Sequence, residues 1–224
     1  MINIGVTGHR PHRLAVPLPR LAAQVGRLLA GLVKATAAGV GADGAGAGDG
    51  ACLNIISPLA EGADRIVAGE ALRLGQRLTA LLPFDRRAYE ATFSDPATTP
   101  EFRALWQAAD ERVSLHASPA RPEAGYVAVG MVTLARSDLM LAIWDGDAAL
   151  GRGGTAEILQ SAVGWGVPVM WINARRDFKP VLLAGLAPDP ASGHAGPTLA
   201  DAVAGAALLD PGTLRGLVAA LARR

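Results

Sequence analysis

Two periods of apolar and polar positions alternate along the chain. Leu139–Trp144 is a continuous apolar run with the length of a strand buried on both faces, and Ile2–Val6, Leu53–Ile56, Arg77–Leu82 and Val167–Ile172 read as further strands. Between them lie segments with helical spacing. Leu21, Val25, Leu28, Leu29 and Leu32 form one face of a helix from Leu18 to about Ala38. Arg20, Arg27 and Lys34 form its solvated stripe. Further helices are predicted from Glu61 to Gly75, from an Asp85 cap through Phe93, and from Thr99-Pro100-Glu101 to about Glu111. Others follow over Gly125–Arg136 and Thr155–Trp165. Gly75 suits the position just past a helix end, and Val113–Leu115 reads as a short edge strand.

Strands alternating with helices predict an α/β domain: a central, mainly parallel sheet with helices on both faces, in three layers. The glycine-rich segment 39–51 has no periodicity and reads as a surface connection. The core is expected to occupy about residues 1–173. A Pro- and Gly-rich loop, 185–197, then leads to a terminal helix beginning at Asp210-Pro211, with Leu214, Leu217, Val218 and Leu221 on one face. Residues 185–224 therefore read as an appendage to one domain of 224 residues. The terminal helix has two possible places, on its own domain or across a homo-oligomer interface, and the pattern leaves both open. Trp144, Trp165 and Trp171 sit in apolar runs and are expected to pack in the core.

Composition narrows the class. Hydrophobic residues make up 50% of the chain, inflated by alanine, and no apolar run approaches the roughly 18 residues needed to span a bilayer. The first residues enter a strand-like run without a charged leader, so a cytoplasmic location is expected. The one cysteine, Cys52, excludes an intramolecular disulfide. A net charge of +1 provides no global attraction to nucleic acid or anionic membrane. Nearly all the basic residues are Arg, which recognises phosphate bidentately. His116 and His194 lie apart, and no His/Asp/Glu grouping has metal-ligand spacing. The cofactor expectation is therefore none, apart from a Mg²⁺ accompanying a phosphate ligand.

In a parallel sheet the strand-to-helix loops emerge at one carboxyl edge, where ligands bind. Four of these loops are rich in chemistry. The first carries Gly8, His9 and Arg10, and the second carries Ser57, Glu61, Gly62, Asp64 and Arg65. The third holds Asp85, and the fourth runs from Asp145 through Gly151, Gly153, Gly154 and Thr155 to Glu157. Glycines allow close approach, Arg pairs with phosphate, and carboxylates accept ribose hydroxyls. Thr155 is expected to cap the helix that starts there, whose positive end favours an anion. Tyr126 is placed either against a base or between helix and sheet.

The stretch Ser57-Pro58-Leu59-Ala60-Glu61-Gly62-Ala63-Asp64, with Ala71-Leu72, resembles the S-x-x-A-x-G-x-D…A-L element of the DNA-processing protein A family. Gly153-Gly154-Thr155-Ala156-Glu157 resembles, in shortened form, the G-G-x-G-T-x-x-E signature of the Lonely Guy cytokinin-activating enzymes. With Gly5-Val6-Thr7-Gly8-His9-Arg10 and Leu141–Gly146, the chain is similar to members of the SLOG superfamily over roughly residues 1–173. The resemblance implies a Rossmann-like domain that binds nucleotides or nucleotide-derived ligands. It also implies that Gly153, Gly154 and Thr155 cradle phosphate and that Glu157 stands at the Lonely Guy catalytic glutamate's position. Those hydrolases pair that glutamate with an Arg about ten residues before the strand, where this chain has Ala128 and Val129; Arg136 lies closer to the strand.

The leading expectation is a module that binds or senses a phosphorylated nucleotide. The alternatives are N-glycosidic hydrolysis of a nucleoside monophosphate by Glu157 and single-stranded DNA binding. Near-neutral charge disfavours nucleic acid as a partner, and no membrane partner is expected.

Overall fold

The computed structural model describes residues 1–39, 52–148, 152–176, 179–183 and 198–223. Most of the segment 39–51, Gly151, and the loop 185–197 with His194 lie outside them. In chain order the elements are β1 (Ile2–Gly8), α1 (Leu18–Gly39), β2 (Leu53–Ser57), α2 (Ala63–Arg73), β3 (Arg77–Leu82) and α3 (Arg86–Glu90). There follow α4 (Thr99–Ala108), β4 (Glu111–Ser114), α5 (Pro122–Ala135), β5 (Leu139–Trp144), α6 (Thr155–Gly164) and β6 (Val169–Asn173). The chain closes with β7 (Val181–Leu183), α7 (Leu199–Ala204), β8 (Ala207–Leu208) and α8 (Pro211–Leu221).

The strands form one sheet of 8 in the order β4-β3-β2-β1-β5-β6-β7-β8. The six strands from β4 to β6 are mutually parallel, while β7 and β8 run antiparallel to their neighbours. This is the expected α/β, three-layer, Rossmann-like arrangement. The alternation of side chains along β5 shows why both faces are apolar. Leu139, Leu141 and Ile143 enter the larger core with Leu21, Val25 and Leu29 of α1 and Val67 of α2. Met140, Ala142 and Trp144 enter a second core with Ile158, Leu159 and Val163 of α6. A third, smaller cluster joins Val129 of α5 to Ile56 and Leu81.

The described residues decide the place of α8. Leu214, Leu217 and Val218 join the larger core beside α1, so the helix packs on its own domain. Asp210 caps it by accepting the Thr213 N–H at 2.7 Å.

Several boundaries differ from expectation for local reasons. Helix α2 begins at Ala63, not Glu61, because Gly62 takes φ +95°. Asp85 precedes α3, but its side chain caps nothing, and α3 ends at Glu90. Helix α4 begins one residue after Thr98 and ends at Ala108, because Ala109 is extended. Helix α5 starts earlier than expected, at Pro122, and Gly154 rather than Thr155 is the residue before α6. Strands β7 and β8 had no signal in the pattern: they are 3 and 2 residues long. Trp165, expected in the core, is 53% exposed where α6 ends.

Candidate functional site

The order of the sheet reverses between β1 and β5. From β1 the chain leaves toward α1 on one face, and from β5 it leaves toward α6 on the other. A crevice opens at the carboxyl ends between them, as open α/β sheets require at such a point. Here it is a cleft of about 320 Å³, walled by the loops after β1, β2 and β5 and by α5.

One end of the cleft is built on Asp145. Its side chain is completely buried. His9 Nε2 lies 2.8 Å from Oδ1, although its N–H is not aimed squarely at that oxygen. Arg13 donates to Oδ2 through Nε at 3.0 Å and Nη2 at 2.5 Å, and Arg175 approaches the same oxygen at 3.4 Å. The Asp147 N–H donates to Oδ1 at 3.0 Å. Burial pushes the carboxyl up, but these donors outweigh it and leave it at about 2. Burial lowers the His9 pKa, with Asp145 opposing, so the ring is neutral at pH 7. Its Nδ1 meets Thr155 Oγ1 at 3.5 Å, tying the β1 loop to the first turn of α6.

The glycine turn before α6 faces the same end. Gly153 has φ +74°, a conformation open to glycine at little cost. A Cβ there would lie 2.7 Å from the Val127 nitrogen and 2.9 Å from the Tyr126 carbonyl carbon, so α5 sits directly against the turn. Glu157 Oε2 accepts the Gly153 N–H at 2.6 Å and fixes the turn from behind. Arg152 lines the cleft beside it and makes no ion pair among the described residues.

The other end is built on the loop after β2. Leu59 is fully buried with φ +56°, a strained conformation for a residue with a side chain. Ser57 Oγ accepts its N–H at 3.1 Å, and Arg65 Nε donates to its carbonyl at 3.1 Å. Beside this loop the first turn of α2 presents Asp64, 4% exposed, to the cleft. Among the described residues Asp64 Oδ2 accepts the Ala60 N–H alone, at 3.2 Å. Burial pushes this carboxyl to about 7, opposed only in part by the Ala60 N–H and the nearby Arg10 and Arg65 charges. Tyr89 and Tyr126 complete the wall, and the Arg10 guanidinium lies 5.9 Å from the Tyr126 ring centre.

The structure thus brings Gly8, His9, Arg10, Asp64, Tyr126, Gly153, Gly154 and Thr155 around one cleft. Asp145 stands just behind it. The other sequence-predicted residues are placed elsewhere. Glu61 turns away, accepting the Ser94 and Asp95 N–H groups, the Ser94 and Thr98 hydroxyls and Arg10. Arg65 is buried with its guanidinium 4.5 Å from the Phe93 ring centre and bonded to the Thr98 carbonyl. Ser57 and Gly62 shape the loop, with the Gly62 Cα against the His9 carbonyl. Asp85 is 70% exposed and pairs with His116 outside the cleft. Glu157 stands behind the glycine turn, and Gly151 is outside the described residues.

Sequence reasoning missed Arg13, Arg152 and Tyr89. Arg13 had a signal: it lies one turn beyond Arg10 in the same polar segment. Tyr89 had none, because its place depends on how α3 packs under the sheet edge. Among the described residues no group of three or more His, Cys, Asp or Glu side chains could hold a metal ion. Also among them, no helix is long and apolar enough to cross a membrane.

Fold and cleft define an α/β protein of the Rossmann-like class with its crevice at the β1/β5 crossover. No family model matches the sequence, and no curated protein matches it. Among solved structures it is similar to DNA processing protein A from Streptococcus pneumoniae, with a TM-score of 0.50 and 18% identity. The match covers 76% of this chain and 50% of that one, so the chain spans about half the length of that protein. At this identity the likeness is one of fold, the fold implied by the resemblance in the loop after β2.

Proposed function

We propose that the protein binds a phosphorylated nucleotide or nucleotide-derived ligand in the β1/β5 cleft, as a binding or sensing module. The observation that carries this reading is the turn Gly153-Gly154-Thr155. It opens the N-terminus of α6 into a cleft also lined by Arg10 and Arg152. Backbone N–H groups, a positive helix end and two guanidiniums together suit a phosphate. Any Mg²⁺ would be carried by the ligand's phosphate. Titration calorimetry with a panel of nucleotides tests the reading. Binding weakened about tenfold or more in Arg152→Ala is expected, since hydrogen bonds to charged groups are worth about 1.5–3 kcal/mol. Absence of binding to the wild type at millimolar ligand overturns it.

N-glycosidic hydrolysis is the rival. Glu157 would need a free carboxylate, whereas one of its oxygens holds the Gly153 N–H. Base release that disappears in Glu157→Ala, with binding retained, would favour the rival. For single-stranded DNA, the net charge of +1 offers little to a phosphate backbone. A steeply salt-dependent mobility shift would speak for that reading.

A further inference from the structure

Asp64 is a buried carboxyl that makes no ion pair among the described residues. One oxygen accepts the Ala60 N–H; the other has no partner among the described residues, and the side chain borders the cleft. The groups around it come from four elements. Arg10 of the β1 loop is engaged by Glu61, and Arg65 of α2 by Leu59, Thr98 and Glu101. Tyr89 of α3 borders the same cleft, and no hydrogen bond to its hydroxyl occurs among the described residues. Tyr126 of α5 flanks both.

His9 fixes the distance between this group and the glycine turn. The Ala63 N–H donates to the His9 carbonyl at 3.1 Å, while His9 Nδ1 meets Thr155. The first turns of α2 and α6 therefore stand one residue apart. A nucleotide whose phosphate sat at α6 would thus bring its sugar toward the first turn of α2. A second phosphate at α2 would meet a carboxylate, so an anion is the wrong occupant there.

We infer that the α2 end of the cleft is a ribose subsite, in which Asp64 accepts hydrogen bonds from the vicinal 2′- and 3′-hydroxyls and Tyr89 adds a third polar contact. The ligand class is thereby narrowed to ribonucleotides over deoxyribonucleotides. The inference rests on the nucleotide reading above.

Calorimetry on the full chain tests it. The probes are the four common ribonucleoside 5′-monophosphates, their 2′-deoxy counterparts and inorganic phosphate. The wild type is expected to prefer the ribo form by about tenfold, the effect of one hydrogen bond to a charged group. Asp64→Asn keeps the acceptor for Ala60 and is expected to abolish the preference while phosphate binding persists. Tyr89→Phe is expected to reduce it by less. Because Asp64 sits at about 7 when free, hydroxyls donating to it favour the carboxylate and expel a proton. Ribonucleotide binding at pH 7 should therefore release protons, read as an enthalpy that depends on the buffer, and Asp64→Asn should not. Equal affinity for ribo and deoxy forms, or proton uptake, overturns the ribose subsite and leaves the nucleotide reading standing. Failure of every probe, phosphate included, overturns both.

Discussion

Asp64 borders the cleft and Asp145 stands just behind it; both are nearly inaccessible, and they are held in opposite states. Asp145 receives His9, Arg13, Arg175 and a backbone N–H, and its carboxyl lies at about 2. Asp64 receives one backbone N–H and lies at about 7. Burial is the largest single influence on each, and it acts upward on both. The supply of donors decides the outcome. At the Asp145 end both carboxylate oxygens are engaged, so the charge holds the loops after β1, β5 and β6 together. At the Asp64 end the missing partner is the one a ligand can provide.

The comparison breaks most readily at Asp145. Asp145→Ala leaves His9, Arg13 and Arg175 facing a partly buried gap, and a loss of about 3 kcal/mol is expected in denaturant unfolding. A loss below about 1 kcal/mol would mean that the network is not what holds the loops. Next comes Gly153→Ala, which forces a side chain into φ +74° and against Val127. It should cost about 2 kcal/mol and weaken ligand binding through the displaced turn. Asp64→Asn goes the other way. At pH 8 it removes a buried, unpaired charge, and stability should rise by about 1 kcal/mol. Smallest is Asp85→Ala, which removes an exposed pair with His116. It should change stability by less than about 0.5 kcal/mol and leave ligand binding unchanged.

The two acids also predict opposite pH slopes. Asp145 is depressed below its unfolded value, so its stabilisation is present above about pH 4 and is lost as pH falls toward 2. Asp64 is raised, so the folded state holds a proton that the unfolded state releases. Its contribution makes stability fall as pH rises from about 4 to about 7. Thermal unfolding across pH should show the second slope vanish in Asp64→Asn and the first in Asp145→Asn.

The parallel core was legible because its central strands are largely buried and so appear as short, mostly apolar segments, unbroken in β5. Strands β7 and β8 were not, being too short to carry a period. Trp165 was misread because an apolar neighbourhood in sequence says nothing about which side of a helix end faces water. Within the site, Gly8, His9, Arg10 and the Gly153–Thr155 turn followed from their place directly at strand and helix ends. Glu61 did not. Three residues before Asp64, in the loop that leads into α2, it points toward residues 94–98, where backbone N–H groups lower its pKa against the upward pull of burial. A one-residue change of direction separates a cleft acid from a loop fastener, and no spacing rule encodes it.

The two rims of the sheet govern how copies of the chain can meet. At one rim β4 carries Glu111 and Arg112, both exposed; at the other, β8 ends the ladder after two residues. Charge on a short strand and early termination both discourage strand-by-strand addition of a second copy. Among the described residues, then, neither rim is suited to growth into a shared sheet.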